Sequence, residues 1–197
     1  MNKKLLEGMI SYEFRTRGIQ GQDYSEYLTK SSGIIILTED NKDIPKEEDR
    51  ETIIGEFSYY YMDLLPMDLF GTFDAEEQYL SDMASEMVDE DGEFTKKFSF
   101  MEDTTSLIIL NTIELKPEYR GYGIMKGVIE FFRSYHESAT IILKAHPTGF
   151  TDVNKKYTVK EFNLAEKKVI QSYEKCGFKR ITKKSPYMYN EGGTIIP

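Results

Sequence analysis

At 197 residues, 40% of them hydrophobic, the chain can bury one core, and a single domain over 1–197 is the default. No apolar run approaches the ~20 residues that span a bilayer. Glu7 falls where a signal peptide needs its apolar segment, and one cysteine allows no intramolecular disulfide, so a cytoplasmic protein without membrane partners is expected. The net charge of −9 is unevenly placed: residues 1–106 hold ten Lys/Arg and twenty-five Asp/Glu, whereas residues 107–197 hold fifteen and nine. A basic half suits an anionic ligand, and an acidic half is unsuited to nucleic acid and suits a cationic partner. The plainer alternative is acidic surface kept for solubility.

In chain order, Met9–Phe14 alternates as a strand, and a short helix around Asp23–Lys30 is weakly signalled. Gly33–Leu37 and Thr52–Leu64 are further strands, rich in β-branched and aromatic residues, joined across the charged loop Glu39–Glu51 as an antiparallel hairpin. Pro66–Thr72 breaks the pattern. Asp74 then fits an N-cap, with Glu77 three residues on as in a capping box. Leu80, Met83, Ala84 and Met87 make one helical face. The stretch 74–93 holds nine carboxylates and no Lys or Arg, so it reads as an acidic helical insertion. It is either a solvated helix face or a wall beside a cationic ligand.

The most structured stretch is Leu107–His136. An apolar run, Leu107–Leu110, continues as the alternating Asn111–Leu115, and Pro117 cannot extend the ladder. After Arg120-Gly-Tyr-Gly123, the residues Ile124, Val128, Phe131, Phe132 and Tyr135 recur at helical spacing. A strand thus runs through a glycine turn into a helix, whose first N–H groups lack intrahelical partners and whose dipole favours an anion. A tight turn with no ligand is the alternative. Thr140–Ala145 is a strand ended by a turn at Lys144–Gly149, and Asp152–Lys160 is a basic loop. Phe162, Ala165, Val169 and Tyr173 share a helix face, and Phe178–Thr182 and Tyr187–Tyr189 close the chain before a frayed Gly192-Gly193 tail. There are no internal repeats or low-complexity tracts.

The stretch Leu115-Lys-Pro-Glu-Tyr-Arg-Gly-Tyr-Gly-Ile-Met125 resembles the acetyl-CoA-binding motif of the GNAT superfamily of N-acetyltransferases. About fifty residues later, Tyr173-Glu-Lys-Cys-Gly-Phe178 is similar to the element closing that family's last core helix. The resemblance covers roughly the second half of the chain. It implies an α/β GNAT fold, a mixed and mostly antiparallel sheet with flanking helices, although the family's usual helices lie between its first and second strands rather than at 74–93. It implies acetyl-CoA as acetyl donor, held by Ile113 and Leu115 of a splayed strand and by Arg120, Gly121, Tyr122, Gly123, Ile124, Met125 and Lys126 around the pyrophosphate. Met125 stands where the family usually has Gly or Ala. Glu166 stands where it has an Asn that contacts pantetheine.

The expected reaction is direct attack by a primary, cationic-type amine on the thioester, with no acyl-enzyme. Tyr173 matches the family's general acid, the alternative being core packing. For the base, Glu114 lies next to the pantetheine strand, though alternation sets it on the face opposite Ile113 and Leu115; His146 is the other candidate and His136 reads as surface. Cys176 reads as a small buried hydrophobe. A GNAT-like module that holds acyl-CoA or a protein without turnover is the alternative, and a homodimer stays open.

Overall fold

The structure, a computed structural model, describes residues 9–17, 28–39, 50–62, 68–74, 77–147 and 157–191. Seven strands form one sheet: β1 (Met9–Arg17), β2 (Thr29–Glu39), β3 (Arg50–Met62), β4 (Leu107–Leu115), β5 (Thr140–Lys144), β6 (Lys179–Arg180) and β7 (Tyr187–Asn190). Their order is β1-β2-β3-β4-β5-β7-β6, and every pairing is antiparallel except β4 with β5. A parallel pair needs a crossover, and here helix α3 (Ile124–Tyr135) supplies it. The fold is therefore mixed α/β.

The sheet buries both faces. On one, α3 and α4 (Val159–Glu174) pack Val128, Phe132 and Ile170 against Ile108, Leu110, Ile141 and Leu143. On the other, α1 (Leu69–Asp74), α2 (Gln78–Met87) and a 3₁₀ turn at Lys96–Met101 pack Phe73, Met83, Met87 and Phe98 against Tyr60, Leu107, Ile109 and Ile142. The split follows from the period of two along each strand, which sends successive side chains to opposite faces.

Several expectations change. Of the suggested helix at Asp23–Lys30, residues 23–27 lie outside the described set, and Thr29 and Lys30 belong to β2, paired with Tyr61 and Tyr60. The hairpin of β2 and β3 forms as expected, its loop outside the described residues. The break at Pro66–Thr72 contains the start of α1: Asp68 caps it, its Oδ1 accepting from the Gly71 N–H at 2.7 Å and its carbonyl from the Thr72 hydroxyl at 2.8 Å.

Asp74 is not an N-cap, for it ends α1 and accepts from the Ser81 hydroxyl at 2.8 Å. Glu77 holds the N-cap position of α2 but makes no side-chain cap bond. Its carboxylate is drawn away by Lys30 and Tyr60, which both donate to Oε1 at 2.5 Å. The acidic stretch is not one helix either. α2 ends at Met87, and Asp89–Glu93 form a turn in which Asp89 Oδ1 accepts from the N–H groups of Asp91 and Glu93. Leu80, Met83, Ala84 and Met87 are buried as expected. Tyr135, placed on the buried stripe of α3, is 66% exposed because the helix ends there. β5 stops at Lys144, β6 is shorter than expected, and α4 begins within the expected basic loop; its residues 152–156, the turn at 148–149 and the Gly192-Gly193 tail lie outside the described residues. Among the described residues no helix is long and apolar enough to cross a membrane.

Candidate functional site

The site begins where two parallel strands part. β4 and β5 pair from Leu107↔Thr140 to Leu110↔Leu143 and no further. Beyond that point β5 turns towards β7, the Ala145 N–H donating to the Pro186 carbonyl at 2.8 Å. β4 continues to Leu115 with β3 as its one partner. The break coincides with a β-bulge: Tyr59 pairs with Leu110 and Ser58 with Thr112, so Asn111 is the extra residue. The bulge resets the pleat, and Ile113 and Leu115 consequently join the face that carries Leu110. In the wedge the Asn111–Leu115 edge has backbone groups with no strand opposite among the described residues. A cavity of about 800 Å³ opens there, lined by residues from both faces of the sheet.

The glycine turn forms one wall. Gly121 (φ 87°) and Gly123 (φ 82°) adopt left-handed backbone, which a side chain disfavours. A Cβ at either would meet nothing within 4 Å, so the demand is conformational and the space beside the turn is open. Gly123 is the N-cap of α3, whose first N–H groups and positive dipole end therefore face that space. Arg120 is pinned at the turn by its Nε donating to the Leu115 carbonyl at 2.9 Å.

The end of α4 forms another wall, and its local sequence explains its shape. Gly177 is left-handed (φ 82°); its N–H donates to the Glu174 carbonyl at 3.0 Å, and the Phe178 N–H to the Tyr173 carbonyl at 3.1 Å. This is a Schellman ending, and it carries the hydrophobic contact such endings favour, Phe178 against Tyr173 with ring centroids 5.4 Å apart. Tyr-Glu-Lys-Cys-Gly-Phe is thus a helix stop that fixes Tyr173 in the cavity wall. Burial, with a smaller contribution from Cys176, raises the Tyr173 phenol above its ordinary value, so it stays protonated and donates. Burial also raises the Cys176 thiol, partly opposed by Lys126, the reverse of what a nucleophilic thiolate needs.

Of the residues expected at the site, Ile113, Leu115, Arg120, Gly121, Gly123, Ile124, Met125, Lys126 and Tyr173 line the cavity, with His146 and Cys176. Met125 leans on the core beside α3 while bordering the cavity. Three expectations fail to come together. Tyr122 is 36% exposed and outside the lining, because the left-handed glycines on either side turn it outward. Glu114 is exposed and outside the lining, since the reset pleat that brings in Ile113 and Leu115 sends it to the other face opposite Glu56. The pairing of Tyr173 with Glu114 as acid and base is therefore not assembled. Glu166 is half-buried on α4 and is not a lining residue, and His136 stacks on Tyr61 at 4.2 Å, away from the cavity.

The sequence reading missed Lys168, Ser172 and Lys175, which share the cavity side of α4 with Tyr173, and Lys144 and Tyr79. The α4 group had a signal, the spacing of four and then three from Lys168 through Ser172 to Lys175. Tyr79 had none, because its role depends on how α2 docks. Arg120, Lys126, Lys144, His146, Lys168 and Lys175 make the lining basic, and among the described residues no carboxylate belongs to it. The described residues contain no group of His, Cys, Asp and Glu suited to hold a metal. Compared with protein-family models, curated proteins and solved structures, the chain matches none.

Proposed function

We propose that the protein is a GNAT-type N-acetyltransferase that moves an acetyl group from acetyl-CoA to a primary amine. The observation that carries this reading is the parting of β4 from β5 at the Asn111 bulge, opening a basic cavity between the glycine turn and Tyr173. The diphosphate lies against the N-terminus of α3 with Arg120 and Lys126, and the pantetheine arm runs along the edge of Asn111–Leu115. A free N–H of that edge donates to the thioester oxygen as negative charge develops there.

The amine nitrogen attacks the carbonyl carbon, the carbon–sulfur bond breaks, and the departing thiolate takes its proton from the Tyr173 hydroxyl. The proton lost by the amine passes to His146, directly or through water, its imidazole lining the cavity as a group able to accept a proton. An acyl-CoA-holding module without turnover is the second reading, favoured by the lack of any carboxylate base among the lining residues.

The first test is Gly123→Glu, which sets negative charge and strained backbone where the diphosphate lies. Calorimetry should show CoA affinity falling at least 100-fold, or about 2.7 kcal/mol, in a variant that still folds. Unchanged affinity there would sink the site assignment. Amine-dependent thiol release from acetyl-CoA separates the enzyme from the module.

A further inference from the structure

The cavity's two ends differ in what they can be for. Arg120 and Lys126 at the α3 start, and Lys168 and Lys175 on α4, belong to the face where the cofactor phosphates are placed. Lys144 and Tyr79 belong to the other face. Lys144 follows the alternation of Ile142, which packs among the α1–α2 residues, and Tyr79 packs against the same cluster. Both adjoin Tyr187: the Lys144 ammonium lies 5.7 Å over its ring, and Tyr187 is close enough to Tyr79 to raise its phenol.

Neither has a side-chain acceptor among the described residues, the Tyr79 hydroxyl being buried and Lys144 exposed. The Tyr79 hydroxyl oxygen is buried and has no hydrogen-bond partner among the described residues. Lys144 makes no ion pair among them either. Burial, reinforced by Tyr60, Glu77 and Tyr187, raises the Tyr79 phenol and keeps it a donor. None of the described carboxylates of this side lines the cavity, though Glu86 and Asp82 lie near enough to Tyr187 to raise its phenol. Glu77 is taken by Lys30 and Tyr60, Asp82 is exposed beside Gln78, and Glu86 and Glu114 do not line the cavity. A buried hydroxyl donor and a lysine beside it call for an anionic acceptor of hydrogen bonds.

We propose that Tyr79 and Lys144 form a carboxylate subsite, and that the acyl acceptor is an amine bearing a carboxylate, of amino-acid type, rather than a polyamine. This rests on the acetyl-transfer reading, which it deepens by naming the acceptor class. A polyamine would set positive charge against Lys144 with no carboxylate among the described lining residues to balance it. An amino acid offsets Lys144 with its own carboxylate and leaves its nitrogen free towards the wedge.

The experiment uses the full chain, with and without CoA, titrated calorimetrically with a panel of N-acetylated amino acids, their methyl esters, and N-acetylspermidine. The expected result is that at least one acid binds about 10-fold or more tightly than its ester and than N-acetylspermidine. Tyr79→Phe, which keeps the ring, and Lys144→Met should each remove most of that preference while CoA affinity stays within about two-fold. Acids and esters that bind alike, or neither binding, would overturn the proposal, as would a preference surviving both substitutions. Thiol release faster with succinyl-CoA than with acetyl-CoA, and equalised by Lys144→Met, would place the carboxylate on the donor and overturn it too. If no amine releases thiol from acetyl-CoA, the enzyme reading fails while the acid–ester comparison still decides the subsite.

Discussion

The two faces of the sheet are built from similar amounts of apolar side chain but by different rules. On the α3–α4 face, the backbone that meets the cavity is specified locally: a left-handed glycine pair starts one helix and a left-handed Gly177 stops the other. On the α1–α2 face, what meets the cavity is Tyr79, carried there at the border of the flank of α2 that Leu80, Met83, Ala84 and Met87 bury. Local rules make a reusable cradle for a common anionic group, whereas docking of a helix makes a pocket particular to one chain. The proposed reading puts cofactor on the first face and acceptor on the second, and each prediction below tests that division.

The largest effect is expected at Tyr173. Tyr173→Phe keeps the ring against Phe178, so thermal stability should barely move. Turnover should fall roughly 10²–10³-fold, about 3–4 kcal/mol in the barrier, as for a positioned acid. Equal turnover would make Tyr173 a packing residue. Next comes Met83→Ala on the other face, where a fully buried side chain leaves a cavity under α2. Unfolding in urea should show a loss of about 3 kcal/mol, with CoA affinity nearly unchanged if the faces act separately. A matching loss of CoA affinity would break the division.

A smaller loss is expected at Arg133, which straps α3 to the far edge of the sheet. Its guanidinium donates to the carbonyls of Ala139 and Asn190 and to the Asn190 side chain, and Asn190 Nδ2 donates to the Gly177 carbonyl at 3.0 Å. The strap thus reaches the helix stop that holds Tyr173. Arg133→Met should cost about 2 kcal/mol of stability and lower turnover more than it lowers CoA affinity. A loss of stability with turnover intact would show that Tyr173 is held by its own helix ending alone.

These two faces were not equally legible. Leu107–Leu110 as a buried strand, the helix after Gly123 and the stop at Gly177 follow from period, glycine and proline, all local properties. Alternation did set Glu114 opposite Ile113 and Leu115, as found, but which of those faces meets the cavity depends on a bulge at Asn111, and a bulge is a property of two paired strands. Asp74 and Glu77 matched a capping box by spacing, yet Lys30, 47 residues away in sequence, and Tyr60 claim the Glu77 carboxylate. Arg133 drew no reading from sequence, because nothing near it marks Asn190 as its partner.

Glu77 carries the smallest prediction and the finest test of how α2 is held. Burial raises its carboxyl, but the hydrogen bonds from Lys30 and Tyr60 and the Lys30 charge outweigh that and hold it below the usual carboxylate value. A group whose folded value is depressed adds stability that is present above its unfolded value and lost as pH falls through the folded one. With the two side chains 40% and 37% exposed, solvent screens the pair, and its worth is under about 1 kcal/mol. Glu77→Gln should therefore lower stability slightly at pH 7. The gap from wild type should close as pH drops below about 4, where an ordinary glutamate protonates. Because Glu77 precedes α2 directly, the substitution should also loosen Tyr79 and weaken a carboxylate-bearing acceptor modestly while leaving CoA alone. A stability gap that persists at low pH would show that packing, not the charge, fixes the start of α2.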